Sequence, residues 1–482
     1  MQSMKPHAVL LASPGMGHLI PVLELGKRLV SHHGFNVTIF VVTTDTSVSQ
    51  SQLQNLSQTS NLIEVVLLPP VDISGQVDQT TSILSQIAMM MREALPSLRS
   101  AILAMKIPPI ALIVDMFGTE AFAIADEFMM LKYVFITSNA WFLALTVYAP
   151  TLDKEVEDDL VYNQKPLLIP GCKPICFVDS FEPIRRPNNQ VYKQDYLRMG
   201  TKISTADGIL VNTFYELESQ TLAALNDKIK LGMVANAPVY PIGPLVRPVD
   251  SGVRSEVLTW LDMQPKESII YVSFGSGGTL SAKQSIELAW GLEKSQQRFI
   301  WVVRPPVEND SAATVLKTSN GCHDSPSYLP DGFLNRTSKN GLVVPIWAPQ
   351  AEILSHPSIG GFLSHCGWNS SLESIVNGVP MIVWPLFAEQ KMNATMLTEH
   401  IGVATRSKLL PSQDVIERSE IDAMVRMIMV DKAGEAIRAR VKMLKSCAEK
   451  ALSKDGSSYS SLAKVAKDCE INLQRQNAKT GA

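Results

Sequence analysis

The chain has 482 residues, 46% of them hydrophobic and 18% charged, with a formal net charge of −3. That length accommodates two to three domains with large cores, and a near-neutral balance without Lys/Arg runs excludes nucleic acid or an anionic membrane as the main partner. The cysteines, at 172, 176, 322, 366, 447 and 469, form no CxxC pair and lack partner histidines, so free thiols are expected rather than a disulfide framework or a zinc site.

In chain order, short apolar or β-branched runs alternate with helical periodicity. Strands are predicted at Ala8–Ala12, Val37–Val42, Ile63–Leu67, Ala111–Val114, Tyr133–Ile136 and Gly208–Val211, with helical stretches at Ile20–Ser31, Thr81–Met105 and Ala121–Phe128. Pro238–Gly252 is rich in Pro and Gly and is predicted to be a linker. The same grammar then restarts: strands at Ser268–Ser273, Phe299–Val303, Gly341–Val344, Gly360–Leu363 and Pro380–Trp384, and helices after Ser281, Ala351, Ser370 and Glu389. Such alternation predicts an α/β chain of two doubly wound, parallel-sheet domains. Pro305–Pro326 is polar and turn-rich, as a surface loop would be. His7–Ser13 is too short and too soon broken by Pro14-Gly15 to serve as a secretory core, and Asn472–Ala482 is polar, so a cytoplasmic protein without membrane insertion is expected.

Four segments carry chemistry. Ser13-Pro14-Gly15-Met16-Gly17-His18 follows the first strand and opens the first helix. Gly15-x-Gly17 there is also how a dinucleotide fingerprint begins, and Asp45 lies where a ribose-binding acid would sit, which makes a nicotinamide dehydrogenase the rival reading. The third glycine is missing, however, since position 20 is Ile. His18 would face a cleft at a helix start as a base near neutral pH, or simply cap that helix. Asp115 ends the strand Ile110–Val114, where an α/β sheet presents functional groups; it orients an imidazole or caps a loop. Phe274-Gly275-Ser276-Gly277-Gly278-Thr279 is a glycine-rich turn between strand and helix, able to cradle a diphosphate, with Ser276 as a side-chain donor.

The fourth segment is Trp347–Gln390, WAPQAEILSHPSIGGFLSHCGWNSSLESIVNGVPMIVWPLFAEQ. Ser370 is predicted as a helix N-cap with Glu373 three residues on: a plain capping box, or an anion site at a helix N-terminus. His365 ends a predicted strand just upstream, and Trp347 supplies an aromatic platform. No Asp-x-Asp metal motif sits in the segment.

Trp347–Gln390 resembles the signature box of plant UDP-sugar-dependent glycosyltransferases. PSPGMGHLIP, PGCKPI, VNTFYELE, VYPIGPL and VSFGSGGTLS extend the resemblance over the whole chain, toward the branch that glucosylates phenols and monolignols. The resemblance implies a GT-B fold, two doubly wound domains facing across a cleft. Residues 1–243 would bind the acceptor, 244–258 link, 259–457 bind the UDP-sugar, and 458–482, including the amphipathic Tyr459–Leu473, return to the first domain. It implies an inverting glucosyltransferase moving glucose from UDP-glucose to an aromatic hydroxyl, with flavonoids or other secondary metabolites as the alternative acceptors. A UDP-sugar epimerase and a non-catalytic sugar-nucleotide binder are the alternatives from other classes.

By the same resemblance, His18 is the base and Asp115 its support. Trp347 stacks uracil; Ala348, Gln350 and Glu373 line the uridine; Ser276, His365, Asn369 and Ser370 hold the diphosphate; Trp368, Glu389 and Gln390 meet the sugar. Met16, Phe117, Trp141, Phe142 and Phe387 would form the acceptor pocket. UDP-glucose is the only co-substrate implied, with no prosthetic group or metal, and the protein is expected to be a monomer. The sequence departs from the family pattern at Ser138-Asn139, where a sugar-contacting Thr is frequent, and at Ser371, where Thr is usual.

Overall fold

A computed structural model of the chain describes residues 5–43, 62–78, 81–152, 154–186, 191–250, 252, 254–307, 328–409 and 414–480. Asp45, Cys322 and positions 308–326 of the predicted surface loop lie outside the described residues. Contacts divide the chain into two units, Met1–Val246 with Lys450–Ala482, and Arg247–Glu449.

The first unit is built on seven parallel strands. These are β1 (His7–Ala12), β2 (Asn36–Val41), β3 (Ile63–Leu67), β4 (Ala111–Asp115), β5 (Leu131–Ile136), β6 (Gly208–Val211) and β7 (Val239–Pro241), in the order β3-β2-β1-β4-β5-β6-β7. β1 and β4 are buried throughout, as near-continuous apolar strands of a sheet covered on both faces should be. Strand order reverses between β1 and β4, which pair in register from Ala8↔Ala111 to Leu11↔Val114.

Three local outcomes differ from the sequence expectations. Helix α1 (Met16–His33) starts four residues before the predicted Ile20. Pro21 favours a first-turn position in the pattern, but Gly15 takes φ +103 and turns the chain straight from β1 into the helix, leaving Pro21 inside it. The predicted helix Thr81–Met105 is two, Ile83–Glu93 and Leu95–Leu103, because Pro96 lacks an N–H and belongs in a first turn. The predicted linker begins with β7, an edge strand paired with β6, where Pro241 costs no central ladder bond.

Helix α2 (Ala140–Tyr148) follows β5, and its N-terminus is held twice. Asn139 Oδ1 accepts from Phe142 N at 2.8 Å. The fully buried Glu218, inside helix α3 (Tyr215–Asn226), accepts from Ala140 N and Trp141 N, both at 3.1 Å. Burial pushes the Glu218 carboxyl up to about 7, against the lowering effect of its hydrogen bonds from Ala140 and Trp141. The closing helix Ser457–Thr480 packs on this unit: Leu462, Val465, Ala466 and Cys469 join the core of β1, β2 and α1. Leu462 and Val465 contribute up to roughly 1.5–3 kcal/mol each by this burial. Asn472 Nδ2 donates to Ile110 O at 3.1 Å and Gln476 Nε2 to Met129 O at 2.8 Å.

The second unit has six parallel strands: β8 (Ile269–Ser273), β9 (Arg298–Val303), β10 (Gly341–Pro345), β11 (Ile359–Ser364), β12 (Met381–Val383) and β13 (Ala404–Thr405), ordered β10-β9-β8-β11-β12-β13. The two-residue β13 carries too little pattern to be predicted. The order reverses between β8 and β11, paired through Ser364↔Ser273. Trp301, Trp384, Phe299 and Phe333 fill its core. Cys172, Cys176, Cys366, Cys447 and Cys469 carry free thiols. Among the described residues, no helix is long and apolar enough to cross a membrane.

Candidate active site

In a doubly wound sheet, ligands bind beyond the carboxyl ends of the strands where strand order reverses. Both units place predicted site residues at that point.

In the first unit the strands concerned are β1 and β4, and Ser13 and Asp115 stand at their ends. Asp115 is fully buried. Its Oδ2 accepts from Ser13 N at 2.9 Å and from the Ser13 hydroxyl, and its Oδ1 accepts from Phe117 N at 3.0 Å. The carboxylate thus ties the β1 exit to the β4 exit. His18, the third residue of α1, brings its imidazole to the same place: Nδ1 lies 3.3 Å from Asp115 Oδ2 and 3.2 Å from Thr137 Oγ1. The ring is 22% exposed and meets Phe117 edge-on at 5.3 Å. With Nδ1 engaged by a carboxylate and a hydroxyl, Nε2 is the nitrogen left to act as a base.

Thr137 and Ser13 are site residues that the sequence reading does not single out. Ser13 has a signal, its place between β1 and the Gly15 turn. Thr137 carries no local signal, because it reaches His18 only through the β1-β4-β5 pairing.

In the second unit the strands concerned are β8 and β11. His365 follows β11, and the glycine-rich loop follows β8. A Cβ on Gly275 would lie 2.5 Å from His365 Cε1, and one on Gly367 2.6 Å from His365 Nε2, so a side chain at either position would force the imidazole to move. Burial, with the Arg304 guanidinium adding to it, holds the His365 imidazole down to about 4, which leaves it neutral at pH 7. Arg304, one residue beyond β9, donates from Nη1 to the carbonyl of Ser276 and thereby props the loop that carries Ser276. This arginine also escapes the sequence reading, since a lone Arg after a strand has no distinguishing pattern.

The turn at Cys366 is interlocked with β11 and with the segment at 390–393. Cys366 adopts φ 52, and its N–H donates to Ser364 Oγ at 3.2 Å. Its carbonyl accepts from Asn393 Nδ2 at 3.0 Å, and its thiol donates to Gln390 O at 3.2 Å.

The predicted capping box is corrected by the structure. Three helices carry the box residues: α4 (Gln350–Ser355), α5 (Trp368–Asn377) and α6 (Gln390–Thr395). Helix α5 has Gly367 at its N-cap, so Ser370 is a first-turn residue rather than the cap. Its intrahelical ladder begins with Ser371 N donating to Gly367 O at 3.0 Å. Gly367 and the αL turn at Cys366 let the helix start directly after His365. Glu373 does not reach back to the N-cap. Its Oε2 accepts from Gln350 Nε2 at 2.6 Å, and the same nitrogen donates to Ser370 Oγ at 2.9 Å. Burial pushes the Glu373 carboxyl up to about 7, opposed by the Gln350 hydrogen bond and Arg247.

The remaining box residues separate by exposure. Trp347 is 60% exposed, an open aromatic face, next to buried Ala348. Trp368 is 3% exposed, with Asn369 beside it in the first turn of α5. Glu389 is the N-cap residue of α6. Gln390 is buried, and its Oε1 accepts from Leu386 N at 2.8 Å and Phe387 N at 3.1 Å. Those two N–H groups fix the amide orientation, leaving its NH₂ as a donor.

The predicted acceptor residues differ in exposure and are drawn from both units. Met16 is exposed and Phe117 half-buried beside His18. Trp141 and Phe142 are core, with Phe142 edge-on to Phe181 at 5.1 Å. Phe387 belongs to the second unit. Asn139, at the point of departure from the family pattern, caps α2. Among the described residues, no group of three or more His, Cys, Asp or Glu side chains is arranged to hold a metal ion.

A family model described as UDP-glucoronosyl and UDP-glucosyl transferase matches residues 250–426. The chain is 52% identical over 476 residues to anthocyanidin 3-O-glucosyltransferase 5 of Manihot esculenta, covering 98% of each chain. It is 45% identical over 466 residues to the hydroquinone glucosyltransferase of Rauvolfia serpentina, covering 96% of this chain and 97% of that one. The crystal structure of TcCGT1 in complex with UDP matches with a TM-score of 0.90 at 48% identity, covering 97% of this chain and 100% of that one. With two parallel-sheet, Rossmann-like units of the GT-B type, the chain belongs to the UDP-glucoronosyl and UDP-glucosyl transferase family and is a UDP-glycosyltransferase.

Proposed function

We propose that this enzyme transfers glucose from UDP-glucose to a hydroxyl of a small aromatic acceptor, a phenol, monolignol or related phenylpropanoid, with inversion to a β-D-glucoside. The observation that carries this reading is His18, with Nδ1 between Asp115 and Thr137 and Nε2 available. Nε2 takes the proton of the acceptor hydroxyl while that oxygen attacks the anomeric carbon. The bond from that carbon to the diphosphate oxygen breaks, and UDP departs with its electron pair. Asp115 stabilises the imidazolium that forms. One protein base suffices, because a diphosphate leaving group requires charge stabilisation more than protonation.

For the donor, Trp347 stacks the uracil, Ala348 and Gln350 line the uridine, and Glu373 accepts from the ribose hydroxyls. The first turn of α5, at Asn369 and Ser370, takes the diphosphate together with Ser276 and His365. His365, being neutral, contributes one N–H rather than a charge. Trp368, Glu389 and Gln390 meet the sugar, Gln390 as a donor. Free thiols in both units support the cytoplasm as its compartment.

The test is purified protein with UDP-glucose and a panel of phenols, monolignols and flavonoids, with product masses recorded. Glucosides of the simple phenols and monolignols support the reading. Products from flavonoids alone would overturn the acceptor class, and a new UDP-sugar formed without acceptor would mark an epimerase.

A further inference from the structure

Phe117 has two surroundings. One edge of its ring meets the His18 imidazole, with planes at 62°. The ring also lines a cavity within the first unit, where Leu84, Ala88 and Met199 continue the apolar wall. Beside Met116, Thr119 and Gln194, the same wall carries four charged side chains in two pairs. Arg92 Nη1 lies 3.6 Å from Asp195 Oδ1, and Arg198 Nε 2.6 Å from Glu120 Oε1. Asp195 Oδ2 also accepts from Ser85 Oγ at 2.6 Å. The side chains of Asp195 and Glu120 are 10% and 20% exposed, so both carboxylates are part of the wall rather than of open solvent.

Two guanidinium groups face two carboxylates, and the lining is neutral overall. The apolar half suits a flat ring. At the charged half, a hydroxyl can donate to a carboxylate and accept from a guanidinium, so it is matched in both roles. A ligand carboxylate can only accept; it meets like charges as well as opposite ones and leaves the wall with an unbalanced anion. Such juxtaposition, added to desolvation, opposes binding. At 3.6 Å the Arg92–Asp195 contact is longer than a hydrogen bond, so a ligand hydroxyl can bond to either group from beside the pair.

We propose that this cavity is the distal half of the acceptor site, selecting small phenols whose far end carries an uncharged hydroxyl over those ending in a carboxylate. The inference rests on the reading of His18 as the base acting on a phenolic acceptor. Arg92 and Asp195 are then specificity-determining residues.

The experiment compares kcat/KM, with UDP-glucose, for unsubstituted phenol, a 4-hydroxyphenyl allylic alcohol, and the matching carboxylic acid. The alcohol should exceed both others by about 10-fold or more, the usual effect of one hydrogen bond to a charged group. Asp195→Asn keeps the shape but gives the wall a net positive charge, and it should narrow the alcohol-to-acid ratio by about 10-fold. Arg92→Gln changes the charge the other way and should widen that ratio. Opposite shifts in the two variants cannot come from a general loss of folding, and either variant alone suffices if the other does not fold. Equal kcat/KM for alcohol and acid, or a ratio unmoved in the folded variants, overturns the inference while leaving the base assignment standing. If none of the three phenols is glucosylated, the underlying functional reading fails with it.

Discussion

Gln350 Nε2 donates to Glu373 Oε2 at 2.6 Å, joining the first residue of α4 to the sixth of α5. Two residues assigned to the uridine are therefore bonded to each other, and the carboxylate that a capping box would turn toward its own helix start points instead to a neighbouring helix. The amide holds the carboxylate in place from one side, which leaves the other oxygen for a ribose diol.

Uridine binding should therefore depend on pH. With the Glu373 carboxyl pushed up to about 7 by burial, its ionised form dominates at pH 8 and its protonated form at pH 6. Ribose hydroxyls need the ionised acceptor, so uridine affinity should drop by about 10-fold between pH 8 and pH 6. Uridine carries no phosphate to confuse the titration. Glu373→Gln should bind about 10- to 100-fold more weakly at pH 8, without that dependence. The folded acid holds a proton between its ordinary range and about 7, so its ionisation opposes folding increasingly as pH rises through that window and fully above it. The variant should accordingly gain more melting temperature at pH 8 than at pH 5. Calorimetric titration at both pH values decides; unchanged uridine affinity with a lowered melting point would remove the ribose role.

Gln390 gives a sharper substitution than truncation does. Alanine there would abandon two backbone N–H groups at Leu386 and Phe387, mixing a packing defect with lost sugar contacts. Gln390→Glu keeps an acceptor for both while removing the NH₂ donor. We expect kcat/KM for UDP-glucose to fall by about 10-fold or more with UDP affinity nearly unchanged, and the native enzyme to prefer UDP-glucose over UDP-galactose by at least ~10-fold. Equal rates with both donors, or normal kinetics in the variant, would count against a sugar contact.

Gly275 tests the seat of His365. Alanine would set a methyl 2.5 Å from the imidazole at a position with φ +74. The left-handed backbone costs roughly 1–2 kcal/mol for an L-residue, and the ring must move as well. UDP affinity should fall by about 10-fold or more, while Gly252→Ala, whose nearest neighbour is Asp250 Oδ1 at 3.2 Å, should bind UDP as the native protein does. Native affinity in the folded Gly275 variant would dissociate His365 from the diphosphate.

Much of this site is legible in the sequence because its residues stand at strand ends. Asp115 and His365 close apolar runs, and a doubly wound pattern turns such positions into ligand-facing ones. The parallel strands themselves read as continuous apolar runs, with ends displaced by a residue or two. The features that escape are set by tertiary pairing or backbone conformation. Thr137 meets His18 only because β5 lies beside β4; Arg304 reaches Ser276 only because β9 lies beside β8. The start of α5 is misplaced by a local capping rule that Ser370 and Glu373 fit, while the real start depends on the left-handed turn at Cys366. Trp141 and Phe142 suit an acceptor wall by composition, yet α2 is buried on nearly every side.

Asp115 should prove structural as well as chemical. Its four acceptor contacts join β1, β4 and α1, so Asp115→Ala would leave the Ser13 and Phe117 donors unmatched and should lower stability by about 2–5 kcal/mol, alongside its effect on rate. Asp115→Asn retains acceptor capacity and should melt closer to the native protein while still transferring glucose more slowly. A melting point for the alanine variant equal to the native one would show that the network contributes little.

The central claim is that His18 removes the acceptor proton, and one comparison addresses it directly: glucosylation of a phenol by native protein and by His18→Ala, with UDP affinity measured on both. A positioned general base contributes roughly 10²–10⁴-fold, so the variant should lose that much turnover, bind UDP nearly as the native protein does, and give any residual product as the β-anomer. Retention of more than about a tenth of native turnover in the folded variant would contradict the account.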